Sequence, residues 1–296
     1  MGFSSYSSKL YVVLKNIYAF TCIHMERHSR IWTAANNGNT EIVHMLIEDG
    51  ADVNERDDST LPFPLWAAFA HSLKNGSSLA LAQVLIDAGA DIESINSKNM
   101  TPLLYFNRTP EILRLLLNAG ANIHAVDDQN ASILSYLGRS NNQELVIELY
   151  HRGVNLSRRN NLGCTCLHFA ASYNQPDMIL TLLDLDVDVD IATNSGQTAL
   201  HMASSSGNKR VVEILLTRNA DIGALVNGMT AMQIAVLQGH HEVAAIIERE
   251  EQRRNRIQQP LILAFAMGMH PRVGQGSLVG LLSPDLARII AGTTRL

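Results

Sequence analysis

The sequence predicts an all-α solenoid of about seven helix–turn–helix units, and three observations predict it. The first is composition. Of the 296 residues 46% are hydrophobic but only 5% aromatic, which suits helices packed through Ala and Leu and suits a β-sandwich poorly. The second is a recurring block: Thr165-Cys166-Leu167-His168-Phe169-Ala170-Ala171, Thr198-Ala199-Leu200-His201-Met202-Ala203-Ser204 and Thr230-Ala231-Met232-Gln233-Ile234-Ala235-Val236, with the Thr residues 33 and 32 residues apart. The third is an independent landmark. Gly120-Ala121-Asn122, Gly153-Val154-Asn155, Asp186-Val187-Asp188 and Asn219-Ala220-Asp221 follow one another every 33 residues, preceded by Gly50-Ala51-Asp52 and Gly89-Ala90-Asp91. Two landmarks sharing one period mark a repeat architecture.

Units start near Ser29, Phe63, Thr101, Ser132, Thr165, Thr198 and Thr230. Thr or Ser ahead of an apolar stretch is a good N-cap, and Pro102 suits a first helical position. Paired Ala residues let a short first helix approach its neighbours. Gly38, Gly207 and Gly239 then close that helix in a left-handed turn. The second helix carries pairs such as Val211-Val212 and Leu215-Leu216, spaced for one buried face. Gly50, Gly89 or Gly120 ends it. The units are unequal. The second is long, with an insertion at 71–78, and the first helix of the third is clipped at Asn107-Arg108-Thr109-Pro110. Asn219 and Asp186 stand where a helix-ending Gly is usual. Asn tolerates the left-handed conformation better than Asp does.

The pattern T-x-L-H-x-A-A followed by G-x-x-E-V-V-x-x-L-L-x-x-G-A-D resembles the ankyrin repeat, over roughly 29–252. That resemblance implies paired antiparallel helices joined by projecting β-hairpin loops, and a function in binding another protein without catalysis. One unit alone exposes its apolar face, so stacking and capped ends are required. By the same resemblance, partners touch the hairpin tips and the exposed end of the first helix. Mapped onto this chain, the partner-binding positions are Ser97, Lys98 and Met100, Asp128 and Gln129, Arg139, Asn161 and Leu162, Tyr173, and Asn194, Ser195 and Gln197. Arg139 and Tyr173 are the residue types that carry interface energy. Met100 and Leu162 are expected as exposed apolar tips, and the contact as centred on the third to fifth units.

Little else in the chain points to chemistry. The net charge of −5 gives no field for nucleic acid. Cys22, Cys164 and Cys166 cannot all pair within one chain, which implies a reducing compartment and a cytoplasmic protein. Cys164-Thr165-Cys166-Leu167-His168 has C-x-C spacing, not that of a standard zinc pair, and each residue also has a repeat slot. His168 and His201 are expected to bond backbone within the stack. Asp184, Asp186, Asp188 and Asp190 lack the Gly and bidentate Glu of a calcium loop. With no nucleophile elbow, phosphate loop or HExxH, no enzyme, cofactor or metal is expected, and the protein is expected to act as a monomer.

Both ends depart from the repeat. Over 1–28, Leu10, Val13, Leu14 and Ile17 describe an amphipathic helix, with Lys15 and Asn16 interrupting any membrane span. Over 253–296 a charged linker leads to an apolar segment with Ser283, Pro284 and Asp285 opening a short helix. That tail is expected to cap the last repeat. Leu282-Ser283-Pro284-Asp285-Leu286 also resembles the opening of F-box-like helices. This implies an alternative in which the tail recruits ubiquitin-ligase core components and the repeats select a substrate.

Overall fold

A computed structural model describes residues 30–75 and 79–266, with side chains up to 257. The N-terminal helix expected over 1–28 and the tail beyond 266, including Leu282–Leu286, lie outside the described residues. The chain divides into two compact units, Met1–Ala244 and Ala245–Leu296.

Fourteen helices and no strands occur among the described residues, in pairs of a short helix followed by a second one. The pairs are α1 Arg30–Asn36 with α2 Thr40–Glu48, α3 Pro64–Asn75 with α4 Ala80–Asp87, and α5 Pro102–Tyr105 with α6 Pro110–Asn118. They continue with α7 Ile133–Leu137 and α8 Gln143–His151, α9 Cys166–Ser172 and α10 Pro176–Asp184, α11 Ala199–Ser205 and α12 Lys209–Thr217, and α13 Ala231–Leu237 and α14 His241–Ala266. First helices pack on first helices, as α1 on α3 and α9 on α11. Second helices pack on second helices, as α2 on α4 and α10 on α12. The result is two helical layers with a continuous core between them. Leu65, Leu85, Leu104, Leu116, Leu149, Leu167, Leu182, Leu200 and Leu215 are all buried there. The hairpin loops are tight turns, carrying only the isolated bridges Val126–Ser132 and Val226–Met229.

Local chemistry explains where these short helices begin. Thr165, Thr198 and Thr230 sit at N-cap positions in extended backbone and form capping boxes with the third helical residue, which is His168, His201 and Gln233 respectively. Histidine here takes the place that Glu or Gln fills in the usual box. Nδ1 of His168 accepts the Thr165 N–H at 3.1 Å, which leaves Nε2 protonated, and Nε2–H donates to the Gln197 carbonyl 3.0 Å away in the loop that leads to the next unit. His201 repeats this with Thr198 and the Ala224 carbonyl at 3.1 Å. Both histidines bond backbone within the stack as expected, and each imidazole in addition caps the start of its helix. Burial holds both imidazoles below the ordinary pKa, which keeps them neutral.

The far ends of the first helices are closed across units. The carbonyl of Asn36 receives His71, that of Arg139 receives the Gln175 amide, those of Ala171 and Ser172 receive Asn208, and that of Ser205 receives His240. These are carbonyls that a helix cannot satisfy internally. Gly207 permits one such closure: a Cβ there would stand 2.6 Å from His240 Nδ1, and φ is +72°. Asp186 and Asn219 adopt φ of 60° and 62°, standing in for glycine as the repeat requires.

The insertion expected at 71–78 lies partly in helix: residues 71–75 extend α3 to twelve residues, and 76–78 lie outside the described residues. No glycine interrupts this stretch before 76, and Ser72 Oγ bonds back to the Ala68 carbonyl, so the helix continues. The clipped helix is as expected. α5 has four residues, because Pro110 restarts the chain as the first residue of α6 and holds Thr109 in extended backbone.

The second compact unit is described by α14. That helix runs unbroken through the expected repeat boundary at 252/253. Glu250 bridges Arg253 at 2.6 Å and Arg254 at 3.0 Å, fastening the turn across that boundary. The hydrogen bond from Arg253 holds the Glu250 carboxyl down at a pKa of about 2.

Candidate partner-binding surface

The hairpin tips that close the third, fourth and fifth units are bonded to one another. The Asn161 N–H donates to the Gln129 carbonyl at 3.0 Å, and the Asn194 N–H to the Leu162 carbonyl at 3.1 Å. Side-chain amides follow the same course, Asn161 Nδ2 to the Asp128 carbonyl and Asn194 Nδ2 to the Asn161 carbonyl. Arg159 adds a bond to the Ala192 carbonyl at 2.5 Å. These bonds make a ladder of loops. Asp128, Gln129, Asn161, Leu162, Asn194 and Ser195 therefore stand along one edge with their side chains exposed, and Leu162 is 67% exposed.

Other positions expected at the tips are placed differently. Ser97 and Lys98 are exposed on a self-contained turn around Asn96, whose Oδ1 accepts the N–H groups of Lys98 and Met100. Met100 is half-buried and not an exposed apolar tip, because its carbonyl receives the Asn96 N–H and closes the turn under it. Gln197 is half-buried as well, its carbonyl committed to His168 and its N–H to Thr193 Oγ1. Sequence reasoning missed this because slot mapping counts positions and not the backbone bonds they carry.

Arg139 and Tyr173, taken from different units, come together. The Arg139 guanidinium carbon lies 4.7 Å from the Phe169 ring centre, 5.5 Å from Tyr173 and 5.8 Å from Tyr136. All three distances are within the range of cation–π attraction. The placement depends on Gly138, the residue before Arg139, which is in ordinary helical conformation. A Cβ there would meet the Cys166 carbonyl at 2.6 Å and Phe169 Cβ at 3.0 Å, so the missing side chain lets the end of α7 settle onto α9. Tyr136 is anchored by its hydroxyl, which donates to Asp127 Oδ2 at 2.5 Å. Burial and that bond push its pKa up.

Tyr136 and Phe169 were not among the sequence candidates. Their signal was present, since both occupy the fifth slot of the unit, which also holds Tyr105, Met202 and Ile234. A polar groove of about 360 Å³ adjoins the site, lined by Arg108, Pro110, Ser140, Asn142 and Glu144 among others.

The remaining chemical candidates are occupied by structure. Cys164 and Cys166 are buried free thiols. Burial pushes both thiols up, that of Cys166 to about 12, so neither offers a thiolate at neutral pH. In the acidic loop, Asp184 pairs with Arg218 at 2.7 Å, and Asp190 Oδ1 accepts the Asp221 N–H at 2.8 Å. No group of His, Cys, Asp and Glu able to hold a metal occurs among the described residues. Nor is any helix among them long and apolar enough to cross a membrane.

Comparison with known proteins agrees with this geometry. A family model described as ankyrin repeats matches in three copies, over 31–130, 65–160 and 134–226. No curated protein matches the chain. The figure of about seven units rests on the helix pairs and not on that match. With 31–226 matched and its helices paired in two layers, the chain belongs to the ankyrin-repeat family.

Proposed function

We propose that this protein is a non-catalytic binding module or scaffold that grips another protein on the concave face and hairpin tips of its repeats, acting as a monomer in the cytoplasm. The observation that carries this reading is the bonded ladder of tips from Gln129 to Asn194, beside the exposed Tyr173–Arg139 cluster. A bonded edge loses little conformational freedom when a partner docks, which lowers the cost of association. Leu162 at 67% exposure and Tyr173 at 52% supply apolar area that a monomer leaves uncovered. The buried free thiols suit a reducing compartment.

The test is affinity capture from a cell extract with the full chain, followed by mass spectrometry and titration of the recovered partner. A Leu162→Asp/Tyr173→Asp double variant should lose the partner. Tyr150→Asp, on α8 and away from the tips, should retain it. Equal capture by all three proteins would remove the binding face from the middle units. The ligase-adapter alternative rests on Leu282–Leu286 alone, and deletion of 278–296 tests it through loss of a ligase-core pull-down.

A further inference from the structure

We infer that Arg139 is a receptor for a carboxylate of the partner, so that the site selects a protein segment with an Asp or Glu flanked by an apolar residue. The inference deepens the binding reading above and rests on it. Among the described residues Arg139 makes no hydrogen bond and no ion pair through its guanidinium. Its recorded contacts there are the three rings. A cation–π contact draws on the guanidinium's charge and consumes none of its N–H donors, and Arg139 is exposed. A guanidinium of five donors, none of them spent, matches a carboxylate bidentately.

The group is also pre-positioned. Its main chain is pinned by the Gln175 amide on the Arg139 carbonyl at 3.2 Å, and the three ring contacts restrict its side chain. The neighbouring polar groups have partners of their own: Arg159 donates to the Ala192 carbonyl, and the Asp127 carboxylate accepts the Tyr136 hydroxyl. The exposed Arg139 guanidinium keeps its donors free, and a carboxylate matches both its charge and its fork. Tyr173, half exposed on the same cluster, offers the apolar contact next to the carboxylate.

The experiment is selection of a random twelve-residue peptide display library on the full wild-type chain, with resynthesis of the enriched peptides. Expected is enrichment of Asp or Glu beside an apolar residue. The affinity of such a peptide should fall about tenfold or more with Arg139→Gln. A similar fall is expected when the peptide's Asp becomes Asn, with no further loss when both changes are combined. Arg139→Lys should recover only part, because it keeps charge and loses the fork. Thermal unfolding by circular dichroism must show each variant folded.

Enriched peptides that compete with the natural partner yet bind Arg139→Gln unchanged overturn the carboxylate inference and leave the binding reading standing. A phosphoserine peptide that binds tighter than its Asp counterpart also overturns it. So does self-association of the wild type, by sedimentation, that Arg139→Glu abolishes, since the occupant is then a second copy of the chain. Peptides and partner that all bind independently of Arg139, Leu162 and Tyr173 overturn both readings together.

Discussion

The second and third units solve the stacking problem with aromatic packing, and the fifth and sixth solve it with directed hydrogen bonds. In the former, Trp66 and Phe69 of α3 meet Phe106 beside α5 at 5.7 and 5.1 Å between ring centres, and Trp66 meets Tyr105 at 5.2 Å. In the latter, His168 and His201 carry a capping bond at one ring nitrogen and, at the other, a bond to the loop that leads to the next unit. The difference follows the regularity of the sequence. Apolar burial is non-directional, so it tolerates a twelve-residue α3 against a four-residue α5. An imidazole must land on a particular carbonyl, so it works only where the period holds. The middle of the stack, where the period is firmest, is also where the tips bond into one edge.

The largest test of this contrast is Trp66→Ala. Trp66 is fully buried and its Nε1–H donates to Ser94 Oγ at 3.0 Å. Removing it should cost about 3–5 kcal/mol of stability in urea unfolding, enough to melt the second and third units. A loss below about 1 kcal/mol would show that the aromatic cluster is not what holds the irregular units.

The histidine ties are next. His168→Leu keeps the bulk but strands the Thr165 N–H and the Gln197 carbonyl, for about 1–3 kcal/mol. Burial lowers the folded-state pKa of both His168 and His201 from the ordinary 6.5. The unfolded chain therefore takes up protons first as the pH falls. Stability should be level above pH 6.5 and decline below it, toward the depressed folded pKa. A His168→Leu/His201→Leu chain should show a smaller decline between pH 6.5 and 5. An unchanged slope there would dismiss the two imidazoles as its source.

A smaller effect, of opposite sign, is expected at Asp186. Its φ of 60° is a left-handed conformation, so Asp186→Gly should raise stability by about 0.5–1 kcal/mol. A lowered melting temperature would mean that the Asp186 side chain contributes a contact worth more than the strain. The smallest is Arg114→Ala. Its 2.9 Å pair with Glu144 links α6 to α8 but stays 51% and 83% exposed at the two side chains, so less than about 0.5 kcal/mol should be lost. A larger loss would mean that surface charge shares the work of stacking.

The repeat could be read from the chain because each landmark is local: a Thr opens a helix, Gly or Asn reverses the chain, and both recur at a fixed interval. The left-handed residues at Asp186 and Asn219, the break ahead of Pro110 and the backbone bonds of the histidines all follow from those landmarks, whereas the capping role of the histidines does not. The candidate surface was legible only in part. Arg139 and Tyr173 were legible as residue types, and Leu162 as an exposed tip, whereas Met100 and Gln197 are half-buried by backbone bonds that no slot count shows.

The two-layer stack and its register follow from the order of residues alone, since capping, turn conformation and apolar spacing act within a few residues. The company each side chain keeps across units is set by the packing of one helix on another. Gly138 brings α7 onto α9, and this sets Arg139 from one unit over Phe169 and Tyr173 of the next. That contact joins residues about thirty positions apart, and its energy depends on distances that the spacing of a repeat bounds but does not set.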